Sequence, residues 1–228
     1  GVLVSPTVHG NLIVGPSAEE IPDPDDTATT AQVLAMVRRR ARRAVPSVDL
    51  RQCIRNFAGV RANSDRDDFI IEEKDGFVDL AGIKSPGLTA APAIACYAAD
   101  LLEKAGLAME KKESFIDARR HVRFAECSQE ERARLVKENP AYGRVICRCN
   151  TITEGEILDA LHSPVPPVSV DGVKRRAGTG MGRCQGGFCG PRVVDILARE
   201  LHKSPAEILQ DADGSVILTG TLRGEERA

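Results

Sequence analysis

Four of the seven cysteines fall into two close pairs. Cys147-Arg148-Cys149 is followed, after 34 further residues, by Cys184-Gln185-Gly186-Gly187-Phe188-Cys189. Two thiol pairs far apart in the chain suit a four-thiolate centre, since each pair can grip one side of a compact ion or cluster. Glycines at 178, 180, 182, 186, 187 and 190 leave room for backbone amides to approach sulfur. Cys149 precedes the capping pattern Thr153-Glu154-Gly155-Glu156, and Cys189 precedes Gly190-Pro191. Both pairs are therefore expected just ahead of helix N-termini, whose amides and dipole favour anionic sulfur. From 144 to 192, seven basic residues (Arg144, Arg148, Lys174, Arg175, Arg176, Arg183, Arg192) outnumber four acidic ones (Glu154, Glu156, Asp159, Asp171). Nearby cations and amide hydrogen bonds raise the reduction potential of a negative centre.

Spacing alone leaves more than one metal open. A structural four-cysteine zinc site usually shows gaps of roughly two to four residues in both pairs, and the single residue between Cys147 and Cys149 fits that less well. A pair of disulfides is disfavoured by the same tight spacing. A [2Fe-2S] cluster and a zinc ion both remain compatible with the four thiolates. Gly178-Thr179-Gly180-Met181-Gly182 looks like a nucleotide loop but lacks the Gly-Lys-Ser/Thr ending that phosphate binding needs.

The elements that must position these residues come from an ordinary globular composition. The chain has 228 residues, 42% hydrophobic and 28% charged, with a formal net charge of −2. That balance gives no electrostatic case for nucleic acid or for an acidic membrane. The longest apolar run, Leu88 to Leu102, is interrupted by Thr89, Pro92 and Asp100 and is too short for a transmembrane helix. Gly1 opens directly into Val2-Leu3-Val4, without Met or a secretory signal, which leads us to expect a piece of a longer protein. An odd number of cysteines cannot all pair internally, so a reducing, cytoplasmic setting is expected.

Gly1–Ser5 and Asn11–Val14 read as a hairpin around His9-Gly10. Pro22 to Asp26 is a solvated loop, and Thr30 caps a helix running to about Ala44 before Pro46 stops it. Arg38, Arg39, Arg40, Arg42 and Arg43 at its far end either complement the helix dipole or form an anion-binding face. Strand-like runs follow at Phe57–Arg61, Phe69–Glu72 and Phe77–Leu80. Gly82-Ile83-Lys84-Ser85-Pro86-Gly87-Leu88-Thr89 then feeds an alanine-rich helix to about Ala105, closed by Gly106. Its small residues predict close packing on a sheet, with Cys96 buried as a core thiol. Cys53 and Cys127 likewise carry no expected function. Ser128-Gln129-Glu130-Glu131 opens a helix ending before Pro140. The expected organisation is a region 1–105, a linker 106–140 with one helix, and a cysteine domain 141–228.

Ile146-Cys147-Arg148-Cys149, Glu154-Gly155-Glu156-Ile157 and Gly180-Met181-Gly182-Arg183-Cys184-Gln185-Gly186-Gly187-Phe188-Cys189 together resemble the bacterioferritin-associated-ferredoxin (BFD) type of [2Fe-2S] domain, in the version appended to flavoprotein dehydrogenases. The resemblance spans roughly residues 141–215. Its gap between Cys184 and Cys189 is longer than in free-standing members, and flavoprotein-linked members share it. The resemblance implies a small all-α helix-turn-helix domain in which Cys147, Cys149, Cys184 and Cys189 are the metal ligands.

Pro6-Thr7-Val8-His9-Gly10-Asn11 with Gly15-Pro16, Phe57-Ala58-Gly59-Val60-Arg61, and the Gly82–Thr89 loop are similar to the later half of the D-amino-acid-oxidase/glycerol-3-phosphate-dehydrogenase flavoprotein family. That likeness implies FAD as cofactor, with Gly82, Ser85, Gly87, Leu88 and Thr89 beside the flavin ring and Arg61 holding an anionic substrate group. The family's G-x-G-x-x-G dinucleotide fingerprint is missing, so the catalytic residues are expected mostly outside this chain.

The expected fold class is accordingly α+β, a flavoprotein fragment followed by a small helical cluster domain. The implied activity is FAD-dependent oxidation of a small anionic hydroxy substrate, glycerol 3-phosphate first, with a 2-hydroxy acid or an amino acid as alternatives. The cluster would relay electrons to an acceptor protein or subunit, which leaves peripheral membrane association through that partner open. A reading of another class makes the cysteine domain a metal-binding docking or regulatory module.

Overall fold

The computed structural model describes residues 1–7, 10–116, 118 and 121–220. It divides into two compact units, Gly1–Asp117 and Ala118–Ala228.

In the first unit, β1 (Leu3–Pro6) pairs antiparallel with β2 (Leu12–Gly15), Val4 opposite Val14. The expected hairpin forms; Val8 and His9 at its tip lie outside the described residues. Helix α1 (Ala31–Ala44) packs against this hairpin. Thr30 Oγ1 accepts a hydrogen bond from the Val33 amide at 3.3 Å, which supplies the predicted cap. Strands β3 (Ile70–Lys74) and β4 (Phe77–Ala81) form a second hairpin through Asp75-Gly76, both at positive φ, the conformation a tight two-residue turn requires. Helix α2 (Gly87–Lys104) leans on that hairpin and ends at Gly106, where the Leu107 amide returns to the Leu102 carbonyl at 3.0 Å.

Two expectations fail here. Phe57–Arg61 is not a strand: it is extended and exposed, and neither two-stranded sheet offers it an edge. A β-rich segment becomes a strand only when a neighbour takes its amides and carbonyls. Helix α2 is not buried either. Of its residues only Gly87 is buried, and Cys96 is exposed, because the β3–β4 hairpin covers one side and no second layer covers the other among the described residues.

The second unit is helical with one short strand pair. Helix α3 (Gln129–Glu138) opens on the predicted reciprocal cap between Ser128 and Glu131. Strand β5 (Val145–Cys147) pairs with β6 (Ile152–Thr153), which runs directly into α4 (Glu154–Leu161). Helices α5 (Val170–Ala177) and α6 (Gly190–Leu201) complete the unit. Ile157, Val173, Val193, Leu197 and Ile208 are almost wholly buried and form one core that also contains Cys147 and Cys189. The thiol-bearing loops are thus anchored to the best-packed part of the molecule.

Candidate functional site

Cys147 ends β5 and is buried; Cys149 lies in the turn between β5 and β6 and is exposed. Cys184 is half-buried in the glycine-rich turn, and Cys189 is the buried residue at which α6 begins. The sulfurs of Cys149 and Cys184 stand 3.7 Å apart. Cys147 and Cys189 lie in the same buried core, near enough to oppose each other's charge. The fold therefore makes an outer pair and an inner pair, each combining one cysteine from either distant stretch.

Amides reach these sulfurs from the glycine turn. The Cys184 thiol is pulled below its ordinary value, first by the Phe188 amide, then by Cys149, with the Gly186 and Gly187 amides adding to this. Burial pushes the Cys189 thiol up, Cys147 pushes it further, and the Gly180 amide opposes both. Helix α4, expected to serve the first pair, commits two amides of its first turn within its own unit: Glu154 N–H donates to the Arg144 carbonyl at 2.8 Å, and Glu156 N–H to Thr153 Oγ1 at 3.3 Å. The buried Glu154 carboxylate also accepts from Arg144 and from Arg199 Nη2, the latter at 2.7 Å, and these bonds hold it below the ordinary carboxylate range.

Close approach fixes one glycine. A Cβ on Gly182 would lie 2.2 Å from Cys149 Cβ and 3.1 Å from its sulfur, so the turn can lie against the first pair only without a side chain there. Asn150 ties the same loops, its Nδ2 donating to the Gly178 carbonyl at 3.0 Å. Sequence reasoning missed Asn150 and the Arg144–Glu154–Arg199 set; an amide beside a cysteine pair was the available signal for the first.

A four-thiolate zinc site needs all four sulfurs on one point, whereas a diiron cluster presents two tetrahedral irons with two thiolates each. The outer sulfur separation matches the tetrahedral edge of about 3.8 Å expected for metal–sulfur bonds near 2.3 Å. The paired arrangement fits the diiron group.

In the first unit, Gly82 adopts φ +61°, and a Cβ there would stand 2.9 Å from Ser64 Oγ. That contact brings the segment just after Arg61 beside the glycine loop. Arg61 itself is exposed and makes no hydrogen bond or ion pair among the described residues. Gly87 is buried, Ser85 and Thr89 are exposed, and Leu88 is 94% exposed on the first turn of α2. Side chains cap α1, α3, α4 and α5, whereas α2 and α6 have no such cap. Those two are the helices whose N-termini the sequence assigns to flavin and to sulfur. At α2 the Gly87 and Thr89 amides are taken by the Lys84 and Pro86 carbonyls, which leaves that of Leu88; at α6 the Gly190 amide bonds the Gly186 carbonyl and Pro191 has none, which leaves that of Arg192. Arg38 and Arg42 of α1 line a cleft of about 470 Å³ with Arg51 and Arg55.

Residues 1–101 match the family described as FAD dependent oxidoreductase, and residues 145–199 match the BFD-like [2Fe-2S] binding domain. The chain is thus similar over its first part to FAD dependent oxidoreductases and over its later part to the BFD-like [2Fe-2S] binding domain. Over 99% of its length it is 52% identical to glycerol 3-phosphate dehydrogenase of Caloramator mitchellensis, covering 48% of that protein. It is 41% identical to glycerol 3-phosphate oxidase of Mycoplasma pneumoniae over 45% of the chain and 28% of the relative. The glycerol 3-phosphate oxidase of Mycoplasma genitalium shares 36% identity over 49% of the chain and 30% of the relative. The chain thus spans less than half the length of each. No solved structure matches. All the residues singled out for flavin, substrate and metal fall within the two matched segments. Among the described residues, no helix is long and apolar enough to cross a membrane.

Proposed function

We propose that this chain belongs to a dehydrogenase that oxidises glycerol 3-phosphate to dihydroxyacetone phosphate with FAD, and that Cys147, Cys149, Cys184 and Cys189 hold a [2Fe-2S] cluster. The observation that carries the reading is the two-by-two gathering of these thiols in one unit, on a chain whose other unit is similar to FAD dependent oxidoreductases. Its similarity along almost the whole chain to a glycerol 3-phosphate dehydrogenase supports that substrate over a 2-hydroxy acid or an amino acid. When bound, the flavin supplies two-electron hydride chemistry and the cluster single-electron transfer.

The chain's own residues bind and orient. The Arg61 guanidinium is suited to a bidentate grip on the substrate phosphate. The loop Gly82, Ser85, Gly87, Leu88 and Thr89 faces the flavin, where the Leu88 amide at the start of α2 stabilises negative charge. Amides of Gly180, Gly186, Gly187 and Phe188 do the same for sulfur. Region 1–105 is the substrate- and flavin-facing part, 106–140 the connector, and 141–228 the cluster domain. The electron acceptor is a separate protein or subunit. All seven cysteines are free thiols, which supports a reducing, cytoplasmic setting.

The experiment is anaerobic addition of glycerol 3-phosphate to the purified full-length protein, with iron and zinc quantified. Bleaching of flavin and cluster absorbance with about two irons per chain is the expected result. Zinc in place of iron would turn the cysteine unit into a docking or regulatory module, and an unbleached flavin would remove glycerol 3-phosphate as substrate.

A further inference from the structure

The basic residues around the cysteines divide into two groups. Arg144 is bonded to Glu154, Lys174 lies 3.5 Å from Asp171, Arg175 pairs with Asp211, and Arg176 donates to the Val165 carbonyl at 2.6 Å. The side chains of Arg148, Arg183 and Arg192 make no hydrogen bond or ion pair among the described residues. Each sits at the thiol loops: Arg148 between Cys147 and Cys149, Arg183 beside Cys184, Arg192 in the first turn of α6. A cation in a helix's first turn opposes the dipole, so stability does not explain Arg192. The nearest acidic side chain on that helix, Asp195, is exposed and unpaired among the described residues.

The same loops expose large apolar side chains. Phe188 is 80% exposed and Met181 52%, although a well-packed core lies directly behind them. A Cβ on Gly182 would meet the Cys149 side chain and one on Gly180 would lie 3.8 Å from the Gly186 Cα, so the thiol loops pack against each other and bring together the turns carrying Arg148, Met181, Arg183 and Phe188. An apolar centre with an arginine rim is the anatomy of a protein interface, and Phe, Met and Arg are enriched at interfaces. Cys149 and Cys184, the outer pair, are the thiols closest to solvent at this place.

We propose that these stacked loops form the docking face for an acidic one-electron carrier protein, with Phe188 and Met181 as the apolar centre and Arg148, Arg183 and Arg192 as the cationic rim. The partner's matching surface is apolar around its redox centre and carboxylate-rich at the edge. In each encounter one electron and no atom crosses the face: the chain is oxidised by one and the partner's oxidised centre reduced by one. Two encounters discharge the pair that one hydride delivers. This rests on the cluster reading above and adds the partner's chemistry to it.

The test uses the full-length holoenzyme, reduced with glycerol 3-phosphate, and two soluble haem proteins as probes: the acidic haem domain of cytochrome b5 and the basic cytochrome c. Haem reduction is followed at low and high ionic strength, and binding of the oxidised acidic probe is measured by calorimetry. The acidic probe should react faster at low salt and lose about tenfold in rate as salt rises. The triple variant Arg148→Gln, Arg183→Gln, Arg192→Gln should bind it about tenfold more weakly and lose the salt dependence. Equal rates for both probes, or unchanged binding by the variant, would overturn the proposal. So would a variant that sediments as monomer where the parent is a dimer, since the face would then belong to a second copy. Iron content and anaerobic flavin bleaching, measured on the same samples, separate this failure from failure of the cluster reading, which would take the proposal with it.

Discussion

Leu88 and Leu197 both sit on helices, one in each unit, and one is 94% exposed while the other is wholly buried. The contrast runs through the molecule. The twelve-residue apolar core lies entirely in the second unit, whereas Ala41 is the buried apolar side chain of the first among the described residues. The first unit consists of hairpins and helices that satisfy their own backbone hydrogen bonds and leave apolar faces uncovered, as Leu3, Leu12, Phe57 and Phe77 illustrate. The second unit buries enough surface to hold loops in conformations that local sequence would not enforce. A site that must fix four sulfurs needs that rigidity, while a loop that offers amides to a cofactor can be completed by whatever packs over it.

Four experiments can break or sharpen this comparison. The largest effect is expected at the inner thiol pair: Cys189→Ser in the full-length protein should abolish cluster absorbance and bound iron, because an alcohol is a poor substitute for a buried thiolate. Retained iron would show that the inner pair is not a ligand pair.

Next comes one substitution made in both units. Leu197→Ala should destabilise α6 by about 3 kcal/mol, read as faster amide exchange there. Leu88→Ala in this chain should change α2 by less than about 0.5 kcal/mol. In the full-length protein, Leu88→Ala should cost at least about 1 kcal/mol if its face is covered there. A silent Leu88→Ala in both settings would mean that the exposed faces of the first unit stay exposed.

The third concerns Glu154. Its carboxyl is held below the ordinary value by Arg144 and Arg199, so it contributes stability above the unfolded carboxylate pKa, and that contribution is lost as pH falls through the folded value. Acid titration of cluster absorbance should therefore show loss of the second unit below about pH 4.5. Glu154→Gln should cost about 1–2 kcal/mol at neutral pH and flatten that acid limb. An unaltered profile would place the acid sensitivity elsewhere.

The smallest effect is expected in the first unit. Arg61→Lys should raise KM for glycerol 3-phosphate about tenfold with kcat little changed, since an ammonium cannot reproduce a bidentate guanidinium grip. An unchanged KM would remove Arg61 from the substrate site.

Much of the local structure is legible from residue types. Thr30, Ser128 and Thr153 announce α1, α3 and α4, and Gly106 announces the end of α2, because capping is settled within a few residues. Asp75-Gly76 between two apolar runs likewise encodes its own turn. The extended state of Phe57–Arg61 and the exposure of α2 are not legible, because strand formation and helix burial depend on a partner that periodicity does not name. At the cysteine site, the spacing identifies which thiols matter and leaves zinc and diiron both open.

The sequence by itself determined the starts of α1, α3 and α4, the end of α2, the two hairpins of the first unit and the four candidate sulfurs, through residue types near in the chain. Tertiary structure alone decided which cysteine pairs with which and which three arginine side chains stay unpaired. The physical reason is that joining Cys149 to Cys184, 35 positions away, or Arg175 to Asp211, 36 away, happens only when the second unit buries its core.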